Sequence, residues 1–188
     1  MGNVHPGAPL WLLDALKKTG RYRIFVETGT AQGDTALAAG DRFDTVITME
    51  ADPRIAADAH ERLSGRKGIL PLTGDSRELL PKLMPRLAGP AVFWLAAASR
   101  PGADDGDGGP LAAELAAVSA SPLPHLVVVP QAASLPGRDA LLAALGAGSV
   151  RDVALVEDRL IAVPRAEAAV WNILIPDGRP EFLLPSHG

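Results

Sequence analysis

The chain has 188 residues, enough for one compact domain with a substantial core, and its 47% apolar and 21% charged content is globular rather than disordered. A formal net charge of −4 without any Lys/Arg cluster argues against a nucleic-acid backbone as partner, and no apolar run reaches the roughly 18 residues a membrane span needs. The absence of cysteine removes disulfides, thiolate metal sites and a cysteine nucleophile, which suits a reducing cytoplasm, and the first residues lack the basic segment and long apolar run of a secretory signal.

Leu10, Leu13 and Leu16 with Trp11 predict an amphipathic first helix stopped by Gly20. Residues 23–27 read as a strand, because Ile24, Phe25 and Val26 form the continuous apolar run of a strand buried on both faces. Asp34 is expected to cap a short helix over 35–39, ended by Gly40. A second strand over 45–50 follows. Asp52-Pro53 then marks a helix start, an Asp N-cap with Pro at the first helical position. Ile55, Ala59 and Leu63 line one face of that helix, and Gly65 ends it.

Residues 68–72 predict a third strand, and Leu79, Leu80, Leu83, Met84 and Leu87 a helix whose first turn Pro81 disturbs. A fourth strand spans 91–95. Residues 100–109, rich in Gly and Asp, read as a loop, with a helix from Pro110 to about Val118. A fifth strand covers 125–129 and a further helix 138–145. Residues 152–156 and 160–163 read as an antiparallel hairpin. The tail from Ala168 to Leu184 reads as a second hairpin turning at Asp177-Gly178, or as a loop packed on the sheet. Its apolar residues Trp171, Ile173, Leu174, Ile175, Phe182 and Leu183 would suit a second copy of the chain.

This alternation predicts a mostly parallel twisted sheet with helices on both faces and a C-terminal antiparallel hairpin. It forms a single domain over 1–188: an N-terminal helix in 1–20, a Rossmann-like core in 21–164 and an extension in 165–188. Flavodoxin-like and dehydrogenase folds begin in the same way, so the site must decide the function.

The most informative stretch runs from Val26 to Thr35, Val-Glu-Thr-Gly-Thr-Ala-Gln-Gly-Asp-Thr, where a strand gives way to a helix. Small residues at 29, 31 and 33 allow a tight turn and close approach of a ligand, and the helix start offers amide donors. Glu50 ends the second strand about twenty residues beyond the turn, where a carboxylate accepts from both ribose hydroxyls. Gly74-Asp75-Ser76 follows the third strand. Each element has a plainer reading: a common glycine turn, a solvated strand end, a helix N-cap.

Together these residues resemble the class I S-adenosylmethionine-dependent methyltransferases, whose first motif is an acid followed by Gly-x-Gly-x-Gly. Here the acid is Glu27 and the glycine positions hold Gly29, Ala31 and Gly33. The resemblance implies S-adenosylmethionine as cofactor. It places Glu27 toward the amino-acid portion, Glu50 on the ribose and Asp75 at the exocyclic amine of adenine. Thr28, Thr30, Asp34, Thr35, Ala51 and Ser76 complete the expected cofactor site. Three acids at successive strand ends also complement a sulfonium cation.

Longer stretches resemble a narrower bacterial group with Phe-Val-Glu-Thr-Gly-Thr (here Phe25 to Thr30), an Ile-Glu-x-Asp-Pro-like strand end (Met49 to Pro53), Gly-Asp-Ser (Gly74 to Ser76) and Phe-Trp-Leu (Phe93 to Leu95), over about residues 8–136. That group continues with Asp and His after Trp-Leu, where this chain has Ala96, Ala97 and Ala98. It ends its fifth strand in paired acids, where this chain has Pro130-Gln131. Metal-assisted relatives hold magnesium with these acids, and alanine and proline cannot. The expectation is therefore methyl transfer to a small-molecule acceptor without a catalytic metal, as in specialised metabolism, with Ser99, Arg100 and Gln131 near the acceptor and no side chain assigned to catalysis. Two rivals remain: a non-catalytic descendant that binds cofactor or a protein partner, and a nicotinamide oxidoreductase. The latter is disfavoured by Ala31 and by the lack of a Tyr-x-x-x-Lys set. No Gly-x-Ser-x-Gly elbow, His-Glu-x-x-His or phosphate loop is present.

Overall fold

The computed structural model describes residues 7–96, 109–132, 141, 142, 144, 145, 151–176, 178 and 180–183. The loop expected over 100–109, up to its last residue, and residues 138–140 and 143 of the helix expected over 138–145 fall outside them.

Five parallel strands, β1 (Ile24–Thr28), β2 (Thr45–Glu50), β3 (Ile69–Thr73), β4 (Ala91–Leu95) and β5 (Leu126–Pro130), stand in the order β3-β2-β1-β4-β5. The hairpin β6 (Arg151–Val156) and β7 (Arg159–Pro164) completes a seven-stranded sheet, with β7 antiparallel to both β5 and β6. The chain steps outward from β1 to β3, then reverses to β4, so β1 and β4 flank the topological switch where ligands bind in such sheets. This is the architecture the sequence predicts, with strand limits shifted by a residue at most. Glu157-Asp158 is a two-residue hairpin turn that places Glu157 at φ 55.

Each sheet face carries its own core, because successive strand side chains alternate. Phe25, Val46, Val92, Trp94 and Val128 pack under α1 (Leu10–Lys18), α2 (Asp34–Gly40), α3 (Pro53–Leu63) and α6 (Trp171–Leu174). Val26, Ile47, Phe93, Val127 and Val129 pack under α4 (Ser76–Leu83) and α5 (Gly109–Ser119). Asp52 caps α3 as expected, its side chain accepting from Arg54 N at 2.9 Å ahead of Pro53.

Three local expectations are corrected. On α1 the buried residues are Leu12, Leu13, Ala15 and Leu16, while Leu10 and Trp11 face outward. Asp34 is not the cap of α2. Gly33 holds that position at φ 82, and Asp34 is the first helical residue. Residues 165–174 of the tail are helical, not a strand of a hairpin, and they pack on the sheet as the alternative expectation had it, while Asp177 lies outside the described residues. A 3-10 stretch (Arg165–Val170) leads into α6, whose Trp171 and Leu174 enter the core, and Phe182 then bridges to Ala154 on the β6 edge. The apolar tail thus covers this chain's own sheet, with Trp171 and Phe182 edge-to-face at 5.6 Å.

His125 just precedes β5 and is fully buried, as a structural residue at the amino end of the sheet. Its Nδ1 accepts from Ala91 N at 3.1 Å, and its ring meets Phe93 edge-on. Burial, with Arg151 nearby, pulls its pKa down to about 4, so it stays neutral. Among the described residues no helix is long and apolar enough to cross a membrane.

Candidate functional site

The carboxyl ends of β1, β2 and β3 meet around the turn 29–33. Gly29 N and Thr30 N both donate to the Met49 carbonyl, at 2.8 and 3.0 Å, which ties the turn to the end of β2. Gly29 and Gly33 adopt φ 79 and 82, the left-handed region where an L side chain is strained. Ala31 shares that region at φ 47. The middle glycine of the resembled motif thus has a backbone reason, and this chain does without it. Replacing Ala31 by Gly should stabilise the fold by roughly 0.5–1 kcal/mol, the relief of left-handed strain less the entropy of an added glycine. Urea denaturation measures it, and an unchanged midpoint would contradict the strain. From outside, Arg62 on α3 braces the turn by donating to the Gln32 carbonyl at 2.7 Å and to Asp34 Oδ1 at 2.6 Å.

Glu50 is buried at the tip of β2 and turned toward this site. Its Oε2 accepts from Ala31 N and its Oε1 from Asp52 N, each at 3.0 Å. Two backbone donors therefore fix the orientation of an acceptor-only carboxylate beside the glycine turn. Ala51, the next residue, is exposed.

Glu27 stands beside Thr48 in the parallel register and is buried, 2% exposed. Its Oε2 accepts from Thr48 Oγ1 at 2.7 Å, and Thr48 Oγ1 lies 2.6 Å from Thr30 Oγ1. Thr35 also hydrogen-bonds the Glu27 carboxyl, and its hydroxyl accepts from Ala8 N at 3.1 Å. Burial pushes Glu27 up to about 8; the threonine hydrogen bonds oppose this, while the charges of Glu50 and Asp34 reinforce it.

Asp75 caps α4, accepting from Arg77 N at 2.8 Å and pairing with the Arg77 guanidinium, which holds its carboxyl below the usual range. Gly74 N donates to the Glu50 carbonyl at 2.8 Å, so this turn too is tied to β2. Ser76 is buried and donates to Glu114 Oε1 at 2.5 Å. Sequence reasoning missed Glu114. The available signal was an acid on the helix face that Leu111, Leu115 and Val118 mark as buried.

The fold brings Glu27, Thr28, Gly29, Thr30, Ala31, Gly33, Asp34, Thr35, Glu50, Asp75 and Ser76 to the same end of adjoining strands. Farther along that edge, Ala96 follows β4 and Gln131, half-buried at φ 54, follows β5. Ser99 and Arg100 lie outside the described residues, so their relation to Gln131 rests on sequence. Among the described residues no cluster of three or more His, Cys, Asp or Glu side chains could hold a metal ion. A shallow concavity of about 370 Å³, lined by His60, Leu63, Arg66, Lys67 and Ile69 among others, sits at the opposite end of β3, away from these carboxyls.

No protein-family model matches the chain, and no curated relative does. Solved structures do match in fold. An O-methyltransferase from Bacillus cereus, in complex with S-adenosylhomocysteine, aligns over 85% of this chain and 83% of its own, with a TM-score of 0.64 at 14% identity. The O-methyltransferase TomG from Streptomyces achromogenes, involved in tomaymycin synthesis and bound to S-adenosylmethionine, covers 87% and 83%, with a TM-score of 0.64 at 18% identity. The Podospora anserina methyltransferase PaMTH1, bound to S-adenosylhomocysteine, covers 81% and 75%, with a TM-score of 0.57 at 15% identity. At these identities the similarity shows the fold, which is the Rossmann-like methyltransferase fold.

Proposed function

We propose that this chain binds S-adenosylmethionine across the ends of β1, β2 and β3 and transfers its methyl group to a small-molecule acceptor without a catalytic metal. The observation that carries the reading is Glu50, a carboxylate locked by Ala31 N and Asp52 N beside the glycine turn. A carboxylate so oriented suits a vicinal diol, and Gly29 and Gly33 supply a backbone that only glycine adopts without strain. The donor set fits the whole ligand: acceptors for the ribose, the buried Glu27 for the ammonium, and the Asp75 turn for the base. The fold neighbours crystallised with S-adenosylmethionine or S-adenosylhomocysteine support the same assignment.

The cofactor supplies an electrophilic methyl on a sulfonium. The chain's own contribution is orientation. Glu50 fixes the sugar, Glu27 the amino-acid end, and the strand ends from Ala96 to Gln131 face the acceptor. Ala96 and Pro130 offer no side-chain oxygen to a cation or a proton. Catalysis is then by in-line positioning, which suits a nitrogen or carbon nucleophile, or an oxygen that ionises readily. TomG's part in tomaymycin synthesis supports a specialised metabolite as acceptor.

Calorimetric titration of the full chain with S-adenosylmethionine, S-adenosylhomocysteine and NAD(H) tests this. Micromolar binding of the first two and none of the third is expected. Silence toward both sulfur nucleosides removes the proposal. Binding with no turnover over a library of small acceptors would leave a non-catalytic descendant of the fold.

A further inference from the structure

Among the described residues, Glu114 is a fully buried carboxyl to which the proposed function gives no part. It lies on the apolar face of α5 between Leu111, Leu115 and Val118, where an aliphatic side chain would pack without the cost of burying a carboxyl. Packing alone does not explain it.

Its contacts point to the crevice. Ser76 Oγ donates to its Oε1 at 2.5 Å, the Thr28 hydroxyl at the end of β1 lies close enough to favour its ionised form, and Oε2 is buried with no hydrogen-bond partner. Asp75 and Arg77 are the charged groups that face it, Asp75 disfavouring its ionisation and Arg77 favouring it. Because Glu27 and Thr28 point to opposite faces of β1, Glu114 forms a second buried acid site back to back with the Glu27 network. The turn from Gly74 to Ser76 is thus held at two points: Gly74 N on the Glu50 carbonyl, and Ser76 Oγ on Glu114.

We propose that Glu114 is a positioning residue for the nucleobase end of the cofactor crevice, fixing the Gly74-Asp75-Ser76 turn against the tip of β1 through the Ser76 hydroxyl. This rests on the cofactor assignment above. Glu114 never needs to touch the ligand. It sets where the wall beside the base stands, and through Gly74 it bears on the strand end that carries Glu50.

The test is calorimetric titration of the full chain with S-adenosylhomocysteine and, separately, with adenosine, which lacks the amino-acid portion. Glu114→Ala and Ser76→Ala should each weaken both ligands about tenfold, the loss of one buried hydrogen bond that shapes the site. The double variant should lose no more than either single, because both remove the same bond. Glu114→Gln, whose amide oxygen still accepts from Ser76, should return both affinities to within about threefold of wild type. A residue that only fills space would lower the melting temperature and leave these affinities alone. Wild-type affinity in Ser76→Ala and in a folded Glu114→Ala overturns the proposal, as do additive losses or a loss seen with S-adenosylhomocysteine but not with adenosine. Should Glu114→Ala not fold, Ser76→Ala and Glu114→Gln decide the matter on the same criteria. A wild type that binds neither ligand overturns the cofactor assignment and this inference together; a binding wild type with indifferent variants removes only the inference.

Discussion

Replacing Glu50 by alanine should weaken S-adenosylhomocysteine binding by at least about 100-fold, the largest effect of any single change at the site. Two charge-assisted hydrogen bonds to a vicinal diol are worth roughly 1.5–3 kcal/mol each, and losing both corresponds to about two to four decades in affinity. The substitution also leaves Ala31 N and Asp52 N without their acceptor, so the glycine turn loses an anchor. Glutamine is no rescue. With an amide donor against each oxygen, its NH2 group must face either Ala31 N or Asp52 N, donor against donor, and a loss of about tenfold or more is expected. Titration calorimetry of the two variants measures both, and wild-type affinity in Glu50→Ala would remove the ribose assignment.

Glu27 should make binding depend on pH. In the ligand-free fold its carboxyl titrates near 8, so it is mostly protonated at neutral pH. An ammonium placed beside it favours the ionised form, so binding expels a proton. Affinity for S-adenosylhomocysteine should rise between pH 6 and 8, by up to about tenfold per pH unit. Calorimetry at pH 7 in buffers of different ionisation heat should show that proton released, and Glu27→Gln should abolish both the release and the slope. A wild type whose affinity is flat over this range would place the cationic end elsewhere.

Stability follows the opposite course. The folded pKa of Glu27 lies above the ordinary value of 4.5, so the unfolded chain gives up this proton first. The contribution is full below about pH 4.5 and is lost as pH rises through 8. Glu114, pushed up to about 7 by burial, adds a loss of the same sign. At pH 9, Glu27→Gln should therefore be more stable than wild type, by a few kcal/mol at most.

The strands were legible because parallel strands buried on both faces need unbroken apolar runs, and residues 24–26, 91–95 and 126–129 supply them. Asp52-Pro53 was legible because a cap and a fixed φ act locally. The glycine turn was legible in outline, but Gly33 rather than Asp34 caps the helix, since a left-handed φ outweighs a side-chain cap at that corner. The tail was not. Residues 168–174 turn helical because Trp171 and Leu174 are buried, and that depends on core space no local pattern reveals. Glu114 escaped because its partners, Ser76 and Thr28, are far away in sequence and meet it only once α4 and α5 lie side by side. Asp75 shows the converse: its role as a cap is fully visible in the fold, whereas its role toward adenine follows from the resemblance alone.

The outer brace on the turn, Arg62 with Asp34, has both side chains nearly half exposed to solvent. Such pairs are weak and dissolved ions compete with them. The glycine turn is therefore stiffened from the solvent-exposed side, where dissolved electrolyte weakens the brace. On the proposed cofactor site, changes at Arg62 on the outer surface of α3 should act as a gentle dial on affinity, one that reaches the crevice without altering any residue that lines it.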